Sequence, residues 1–317
     1  MVDGKVVVVT GAGRGLGRAY ARALAGAGAA VVVNDLDGES AADTVATIRA
    51  AGGCAVAGPG DVGEPGVADG LVGQACGEFG RLDGMCTNAG GLRDSTLHRT
   101  SDDDFNAVVR SHLFGTFACG RAAVRAFRHQ GTGGRLLLVS SPAGQRAAYG
   151  QTAYSAAKAA VVGLTRTWAL ECRGIDVTVN AVLPRAVTRM TAGIPGLSRL
   201  VRDLAANGSV PADLRAAGLG TCEDVAPLVV YLLSDRAAHV TGQCLGAGGD
   251  QLSLWSHPAE IVVASRPGGW QADALAETFD RVFAPQLQGY EQTLLNRRGP
   301  GAARGPRDGP STAGAVP

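Results

Sequence analysis

The segment from Val6 to Asp35 constrains the fold most, because an apolar run, a glycine-rich turn, a helical stretch and a second apolar run follow one another. The first part reads VVVVTGAGRGLGRAYARAL and places Gly11, Gly15 and Gly17 where a strand passes into a helix. Glycine permits a sharp turn and lets a phosphate approach the amides at the helix N-terminus. An acid about 20 residues after the turn, here Asp35, completes the pattern of a dinucleotide site.

Short β-branched runs alternate with longer alanine-rich stretches along much of the chain. The predicted strands are Val6–Thr10, Ala30–Asp35, Ala55–Pro59, Leu82–Asn88, Arg135–Ser140 and Asp176–Leu183. The predicted helices are Gly15–Ala27, Glu39–Ala51, Pro65–Phe79, Asp102–His129 and Thr152–Arg173. This alternation predicts an α/β fold, a single doubly wound parallel sheet of Rossmann type with helices on both faces.

The pattern changes near residue 250 of the 317-residue chain. We expect residues 1–250 to form the Rossmann domain. Residues 251–296 form a C-terminal extension with a helical stretch at Gln271–Phe283, and we expect it to fold back on the sheet or on a neighbouring subunit. Residues 297–317 are rich in Gly, Pro, Ala and Arg and contain little to bury, so we expect a disordered tail.

Composition and charge narrow the partners. The formal net charge is +1, and no long basic stretch interrupts the body of the chain. This argues against nucleic acid or an anionic membrane as a partner and favours a small-molecule substrate. No run approaches the roughly 18 to 20 apolar residues of a membrane span, and no secretory leader is apparent. The seven cysteines are scattered without metal-knuckle spacing, so we expect a cytoplasmic protein without a bound metal.

The choice of dinucleotide depends on two residues. A carboxylate at Asp35 can accept the ribose hydroxyls of NAD and would repel the 2′-phosphate of NADP. Arg14, inside the glycine turn, provides a guanidinium that can bind that phosphate, or it is a solvated surface residue. We favour NAD and keep NADP as the alternative.

A phenol and an amine stand four residues apart in the apolar stretch TAYSAAKAAVVGLT. In a helix, Tyr154 and Lys158 share one face, so their polar ends can meet at one site. Alone, such a pair is usually coincidental. Its interpretation depends on the motifs around it.

These motifs resemble those of the short-chain dehydrogenase/reductase family, in order and in spacing. They are TGAGRGLG at residues 10–17, Asp61-Val62, Asn88-Ala89-Gly90, Ser141 and Tyr154-Ser155-Ala156-Ala157-Lys158. The resemblance extends from Val2 to about Gly249. The stretches NDL, HLFGTF and LPRAVTRMT are most similar to the subgroup containing the hydroxyacyl dehydrogenase part of peroxisomal multifunctional enzyme type 2 and related actinobacterial dehydrogenases.

The resemblance implies a set of site residues. The implied catalytic residues are Ser141, Tyr154, Lys158 and His112. The implied cofactor-binding residues are Gly11, Arg14, Gly15, Leu16, Gly17, Asp35, Asp61, Val62, Asn88, Tyr154, Lys158 and Val187. Tyr154 would exchange the proton of an alcohol, and Ser141, rather than its neighbour Ser140, would hydrogen-bond the substrate oxygen.

Lys158 is expected to bind the nicotinamide ribose and, with the positive nicotinamide, to lower the pKa of Tyr154 from its usual value of about 10.

Two positions depart from the family pattern. His112 stands where many members have an asparagine that holds a water in the proton relay. It bridges such a water, with a pKa near the working pH, or it caps an irregularity in a helix. Arg185 follows Pro184 where a glycine is usual, and it reaches towards substrate or towards solvent.

Residues 188–220 resemble the substrate lid of the family. Apolar side chains at Met190, Ile194, Leu197, Leu200, Val201 and Leu204, with glycines at 193, 196, 208 and 218, suit a bulky apolar substrate or ordinary helix packing. Arg146 and Tyr149 line the same pocket or lie at the surface.

Three functions follow from these observations. We expect an NAD-dependent oxidoreductase acting on a secondary alcohol or ketone. The alternatives are an NADP-dependent ketoreductase, and a non-redox or catalytically silent dinucleotide-binding protein. Helices Asp102–His129 and Thr152–Arg173 are where similar proteins pair, so we expect a homo-oligomer, a dimer or a tetramer, and we favour the homotetramer.

Overall fold

The structure is a computed structural model of the chain, and it describes residues 1–193, 200–202, 204 and 208–289. Its strands are β1 (Val6–Val9), β2 (Ala30–Asp35), β3 (Cys54–Pro59), β4 (Gly84–Thr87), β5 (Gly134–Val139), β6 (Val177–Pro184), β7 (Cys244–Gly248) and β8 (Gln251–Trp255). They form one sheet in the order β3-β2-β1-β4-β5-β6-β7-β8. Every pairing is parallel except that of β7 with β8. The doubly wound Rossmann fold predicted from the sequence is confirmed.

Helices cover both faces of the sheet. They are α1 (Gly15–Gly26), α2 (Gly38–Ala50), α3 (Val67–Phe79), α4 (Asp102–Val109), α5 (Gly115–Gln130), α6 (Thr152–Glu171), α7 (Ala212–Ala216), α8 (Ala226–Leu232) and α9 (Ala272–Thr278). One apolar cluster joins the sheet to α1, α2 and α8, and a second joins the other face to α3, α5 and α6. The central strands read as continuous apolar runs because both of their faces are covered.

The stretch predicted as one helix from Asp102 to His129 contains an irregularity. Helix α4 passes into a π-helical turn at Arg110–Phe114, and α5 follows without a break. A π turn adds one residue to the helical repeat and is often found at functional sites. Here it carries His112, which is buried.

The sheet continues past residue 250, where the sequence pattern placed the end of the domain. Strand β8 pairs antiparallel with β7, so the first residues of the extension fold back on the sheet as expected. The helical stretch predicted at Gln271–Phe283 is α9 followed by a π turn at Phe279–Phe283. Strands β7 and β8 were not predicted, because CLGAG is too rich in glycine to resemble a strand. The tail at 297–317 lies outside the described residues.

Candidate active site

The glycine turn lies at the carboxyl end of β1, beside the end of β4. Gly11 has φ +62°, and a Cβ atom there would lie 2.7 Å from the Cα of Ala89. A Cβ on Gly17 would collide with the carbonyl of Gly11 and approach the Asn88 amide nitrogen to 2.6 Å. These two glycines let the turn pack directly on the end of the neighbouring strand. This position, between β1 and β4, is where the strand order reverses and where doubly wound proteins bind ligands.

The amides at the start of α1 suit an anion. In the described part of the chain, no side chain caps this helix, and its first turn contains no acidic residue. By contrast, Asp37 caps α2 and Ser101 caps α4. The uncapped amides and the positive end of the helix dipole favour a phosphate. Gly15 opens this turn, and apart from its chain neighbours and the nearby backbone of α1, no heavy atom of the described residues lies within 4 Å of where its Cβ would stand. The turn therefore fits a dinucleotide pyrophosphate at Gly15, Leu16 and Gly17.

Asp35 lies at the end of β2, beside the glycine turn. Its carboxylate accepts hydrogen bonds from the amide of Gly13 at 2.9 Å and from the amide of Asp37 at 3.1 Å. The residue is 7% exposed. Arg14 lies opposite and forms an ion pair with Asp37, with Nη2 and Oδ2 3.5 Å apart. Two carboxylates and one guanidinium therefore lie together at this end of the site.

Three other residues expected to bind the cofactor, Asn88, Asp61 and Val62, stabilise the loops around the site. The Asn88 side-chain amide donates to the carbonyls of Thr10 and Gly11, which ties the end of β4 to the turn after β1. Asp61 accepts a hydrogen bond from the Gly63 amide and so shapes the loop after β3. Val62 is buried in the core beneath that loop.

Val187 lies behind the cofactor turn. Its amide donates to the Gly220 carbonyl at 2.8 Å, so any contact to a cofactor must come from its carbonyl or side chain. With Gly15, Arg18, Leu204 and Cys222 it lines a cleft of about 400 Å³. The cleft leads from the start of α1 towards the lid.

Ser141, Tyr154 and Lys158 meet at the carboxyl end of β5. Tyr154 and Lys158 project from the same face of α6, and the Lys158 ammonium lies 5.7 Å from the centre of the Tyr154 ring. A hydrogen bond joins Tyr154 to Ser141. Ser140 is 1% exposed and donates to the Lys158 carbonyl at 2.8 Å. Only the second of the two serines therefore faces the phenol.

The pKa values in this cluster differ from those expected. Burial raises the pKa of Tyr154 above 10, while the hydrogen bond from Ser141 lowers it and the negative charge of Asp94 raises it. Burial also lowers the pKa of Lys158 to about 7, and its ammonium donates to the Val139 carbonyl at 2.5 Å. Desolvation dominates the pKa of Tyr154 in the nucleotide-free protein, and the lowering expected from Lys158 together with a bound nicotinamide stays a prediction.

His112 packs edge-on against Tyr154, with ring centres 5.1 Å apart. Its Nε2 donates to the Gly91 carbonyl at 2.9 Å, since a carbonyl can only accept. Its Nδ1 is then an acceptor, and it is buried without a hydrogen-bond partner among the described residues. Burial, helped by the charge of Lys158, lowers the pKa of His112 to about 3. The expected pKa near the working pH is wrong, and the ring is neutral.

The residues around the mouth of the site form unforeseen links to β8. Arg185 donates to the Gln251 side chain at 3.2 Å, rather than pointing only to solvent. The Arg146 guanidinium lies 4.7 Å above the ring of Trp255. Tyr149 is 95% exposed. Sequence reasoning missed these links because β8 itself was not predicted.

The lid is described only in part. Leu200 is buried with Val187 and Val210 in a small apolar cluster, and Val201 and Leu204 pack against it. Met190 is exposed, whereas Ile194, Leu197 and Gly196 lie outside the described residues. The described part of residues 188–220 thus contributes to a small apolar cluster, and its role as a substrate lid stays a prediction.

The described residues contain neither a metal-binding cluster nor a membrane-spanning helix. No group of three or more His, Cys, Asp or Glu side chains among them could hold a metal ion. None of the helices in the described ranges is long and apolar enough to cross a membrane.

Comparison with known proteins defines the class. A family model described as Enoyl-(Acyl carrier protein) reductase matches residues 11–249. The chain is 39% identical over 307 residues to peroxisomal multifunctional enzyme type 2 of Mus musculus, covering 94% of this chain and 39% of that enzyme. It is 38% identical over 312 residues to hydroxyacyl-CoA dehydrogenase ChsB1 of Mycobacterium tuberculosis, covering 94% of this chain and 95% of that protein.

A solved structure agrees with this class. The crystal structure of a short chain dehydrogenase from Mycobacterium avium superposes with a TM-score of 0.77 and 35% identity, covering 89% of this chain and 95% of that one. The chain belongs to the short-chain dehydrogenase/reductase family, as its motifs indicated. It is an oxidoreductase that acts on hydroxyl or ketone groups with NAD or NADP.

Proposed function

We propose that this protein is an NAD-dependent dehydrogenase that oxidises a bulky, apolar secondary alcohol to a ketone and can catalyse the reverse reduction. The observation that carries the proposal is the meeting of Ser141, Tyr154 and Lys158 at the carboxyl end of β5, on the side of the sheet where the glycine turn opens. We propose these three as the catalytic residues.

When bound, the nicotinamide would accept the hydride from the alcohol carbon. The chain's own residues would handle the oxygen and its proton. The Ser141 hydroxyl donates a hydrogen bond to the substrate oxygen and fixes its position beside the phenol. Tyr154 takes the hydroxyl proton in the oxidation and returns it in the reduction.

Lys158 supports this proton transfer. Because burial lowers its pKa to about 7, the amine exists in both protonation states near neutral pH. It can therefore pass a proton on from the region of Tyr154. The neutral His112 offers its unpartnered Nδ1 to a water in the same region, and we propose that it orders the relay.

The preference for NAD rests on Asp35. The carboxylate is buried and accepts hydrogen bonds from two backbone amides, which hold it in place. A 2′-phosphate beside a fixed negative charge is repelled, whereas ribose hydroxyls can donate to it. We therefore propose NAD contacts at Asp35 and at the uncapped amides of Gly15, Leu16 and Gly17.

The substrate class is supported by the apolar lid cluster and by the relatives. Val187, Leu200 and Val210 are buried together in an apolar cluster, and Val187 and Leu204 also line the cleft. The name of the Mycobacterium tuberculosis relative is hydroxyacyl-CoA dehydrogenase. We propose that a hydroxyacyl thioester or a comparable secondary alcohol is the substrate.

An NADP-dependent ketoreductase is the second candidate. Arg14 lies at the rim of the cofactor turn, where a guanidinium can bind a 2′-phosphate. A relative from Synechocystis, 37% identical over 248 residues, is named 3-oxoacyl-[acyl-carrier-protein] reductase. Preference for NADPH in the unmodified protein would favour this candidate.

A turnover assay tests the proposal. The purified protein is incubated with NAD and a panel of secondary alcohols that includes hydroxyacyl-CoA thioesters, and the absorbance of NADH is followed. We expect oxidation by the unmodified protein and turnover lower by roughly 10² to 10⁴ in Tyr154→Phe. Ser140→Ala is the control, because the Ser140 hydroxyl donates to the α6 backbone and not to the phenol, so this variant should retain turnover. Turnover by Tyr154→Phe at the unmodified rate would refute the assignment.

We also propose a homo-oligomer. Phe105, Phe114 and Phe117 are exposed along the α4–α5 face, and Leu170 is exposed near the end of α6. Such apolar residues are typical of subunit contacts. Light scattering after gel filtration should give the mass of a dimer or tetramer; a monomer would contradict this.

The seven cysteines are all free thiols. This supports a reducing compartment, and we propose the cytoplasm. The name of the mouse relative refers to the peroxisome, so fractionation of the source cells is the direct test.

A further inference from the structure

Asp37 is the residue that lies between the end of β2 and Arg14. Its Oδ2 atom lies 3.5 Å from the Arg14 guanidinium and accepts a hydrogen bond from the Ser40 hydroxyl at 2.7 Å. Its Oδ1 atom accepts from the amides of Glu39 and Ser40 as the cap of α2. The carboxylate is therefore fixed in place, although both partners of the ion pair are about half exposed.

The position of Asp37 is tied to that of Asp35. The Asp37 amide donates to the Asp35 carboxylate, whose other oxygen holds the amide of Gly13. Asp35 thus holds the amide of Gly13 in the cofactor turn, and Asp37 pairs with the next residue, Arg14. With Arg14 paired, the local charge is that of two acids and one base, a net negative charge.

This arrangement bears on the opposite cofactor preferences indicated by Asp35, which favours NAD, and Arg14, which favours NADP. Arg14 alone would favour a 2′-phosphate, but a guanidinium already engaged by a fixed carboxylate gains less from a second anion. The phosphate would also approach two negative charges instead of one. Asp37 therefore acts on cofactor choice in two ways, through Arg14 and through its own charge.

We propose that Asp37 is a specificity-determining residue, which holds Arg14 in an ion pair and thereby keeps a 2′-phosphorylated nucleotide out of the site. The inference rests on the proposed NAD-dependent function, and it concerns a residue for which sequence reasoning assigned no role. The competing explanation is that Asp37 only caps α2. Serine is an equally good N-cap without the charge, so Asp37→Ser separates the two roles.

The experiment is a double-mutant cycle on nucleotide binding. NADH and NADPH are titrated separately into the unmodified protein, Asp37→Ser, Arg14→Ala and the double variant, and nicotinamide fluorescence gives each dissociation constant. Asp43→Ser is the matched control, since it removes the same charge from the exposed side of α2. Circular dichroism of each variant confirms that it is folded, and Asp37→Asn provides a second capping variant.

We expect Asp37→Ser to shift the ratio of the two dissociation constants towards NADPH by about fivefold to tenfold, as the loss of an exposed ion pair and one repulsive charge allows. Asp43→Ser should leave the ratio unchanged. Arg14→Ala should weaken NADPH binding more in the Asp37→Ser background than in the unmodified protein, because only there is Arg14 released.

Two results would overturn the inference alone. In the first, the unmodified protein binds NADH, but the ratio of the NADH and NADPH dissociation constants is unchanged in both Asp37→Ser and Asp37→Asn. In the second, Arg14→Ala weakens NADPH binding equally in the unmodified protein and in Asp37→Ser. Failure of the unmodified protein to bind either nucleotide would instead overturn the proposed function, and the inference with it.

Discussion

Replacement of His112 by asparagine tests whether a neutral histidine lies beside Tyr154 and Lys158. The ring is 2% exposed, and its pKa falls to about 3 in the folded protein. Between pH 3 and the ordinary value of about 6.5, the unfolded chain therefore binds a proton that the native protein does not. The native state thus loses stability as the pH falls below about 6.5.

The size of this loss of stability follows from the difference between the pKa of His112 in the folded protein and in the unfolded chain. At pH 5, about 1.5 pH units below the ordinary histidine pKa, the protonation of the unfolded chain costs the native state about 2 kcal/mol compared with pH 7.5. Asparagine cannot be protonated in this range. His112→Asn should therefore lose about 2 kcal/mol less than the unmodified protein between these two pH values, whatever its stability at pH 7.5.

Urea unfolding of the nucleotide-free protein at pH 5 and pH 7.5 measures the effect. The control is His129→Asn, because His129 is exposed at the end of α5, and this variant should retain the pH dependence of the unmodified protein. If His112→Asn and the unmodified protein lose the same free energy of unfolding between pH 7.5 and pH 5, the reasoning is refuted. That result would mean that the buried ring can be charged.

Three further predictions concern the same site. Tyr154→Phe should lower turnover by roughly 10² to 10⁴ while NADH binding, followed by fluorescence, persists, because only the proton-transfer group is removed. Gly11→Ala should lower the free energy of unfolding by roughly 1–3 kcal/mol in urea titrations, since its φ is +62° and the new Cβ meets Ala89; unchanged stability would contradict the described packing. Asp94→Asn should move the pH profile of alcohol oxidation to lower pH, because the Asp94 charge raises the pKa of Tyr154; a shift in the opposite direction would be inconsistent with it.

The fold was predictable because its signals are local. Apolar runs such as VVVVT, the alanine-rich helices and the glycines of the first turn each act within one element, and their order along the chain determines a parallel sheet. Strands β7 and β8 escaped prediction because glycines interrupt β7, and β8 is the antiparallel edge strand. Its pairing with β7 supplies the backbone hydrogen bonds that its sequence does not indicate.

The grouping of Tyr154, Lys158 and Ser141 was predictable from the sequence, but the pKa values within that group were not. Spacing brought Tyr154 and Lys158 to one face of α6, and the structure places Ser141 with them. The pKa values depend on burial, which the tertiary structure sets, so the directions for Tyr154 and His112 could not be read from the sequence. The ion pair of Arg14 with Asp37 was missed for a related reason. Nothing in the sequence NDLD indicates that Asp37, the N-cap of α2, places its carboxylate next to Arg14.

The preference of the unmodified protein for NADH or NADPH tests the central claim most directly. Both nucleotides are titrated into the purified protein and into Asp35→Ala, with nicotinamide fluorescence as the signal. The account predicts tighter binding of NADH by the unmodified protein and a shift towards NADPH in Asp35→Ala, because the variant loses the buried carboxylate. Preference for NADPH in the unmodified protein would contradict the proposed cofactor, and binding of neither nucleotide would contradict the proposed enzyme.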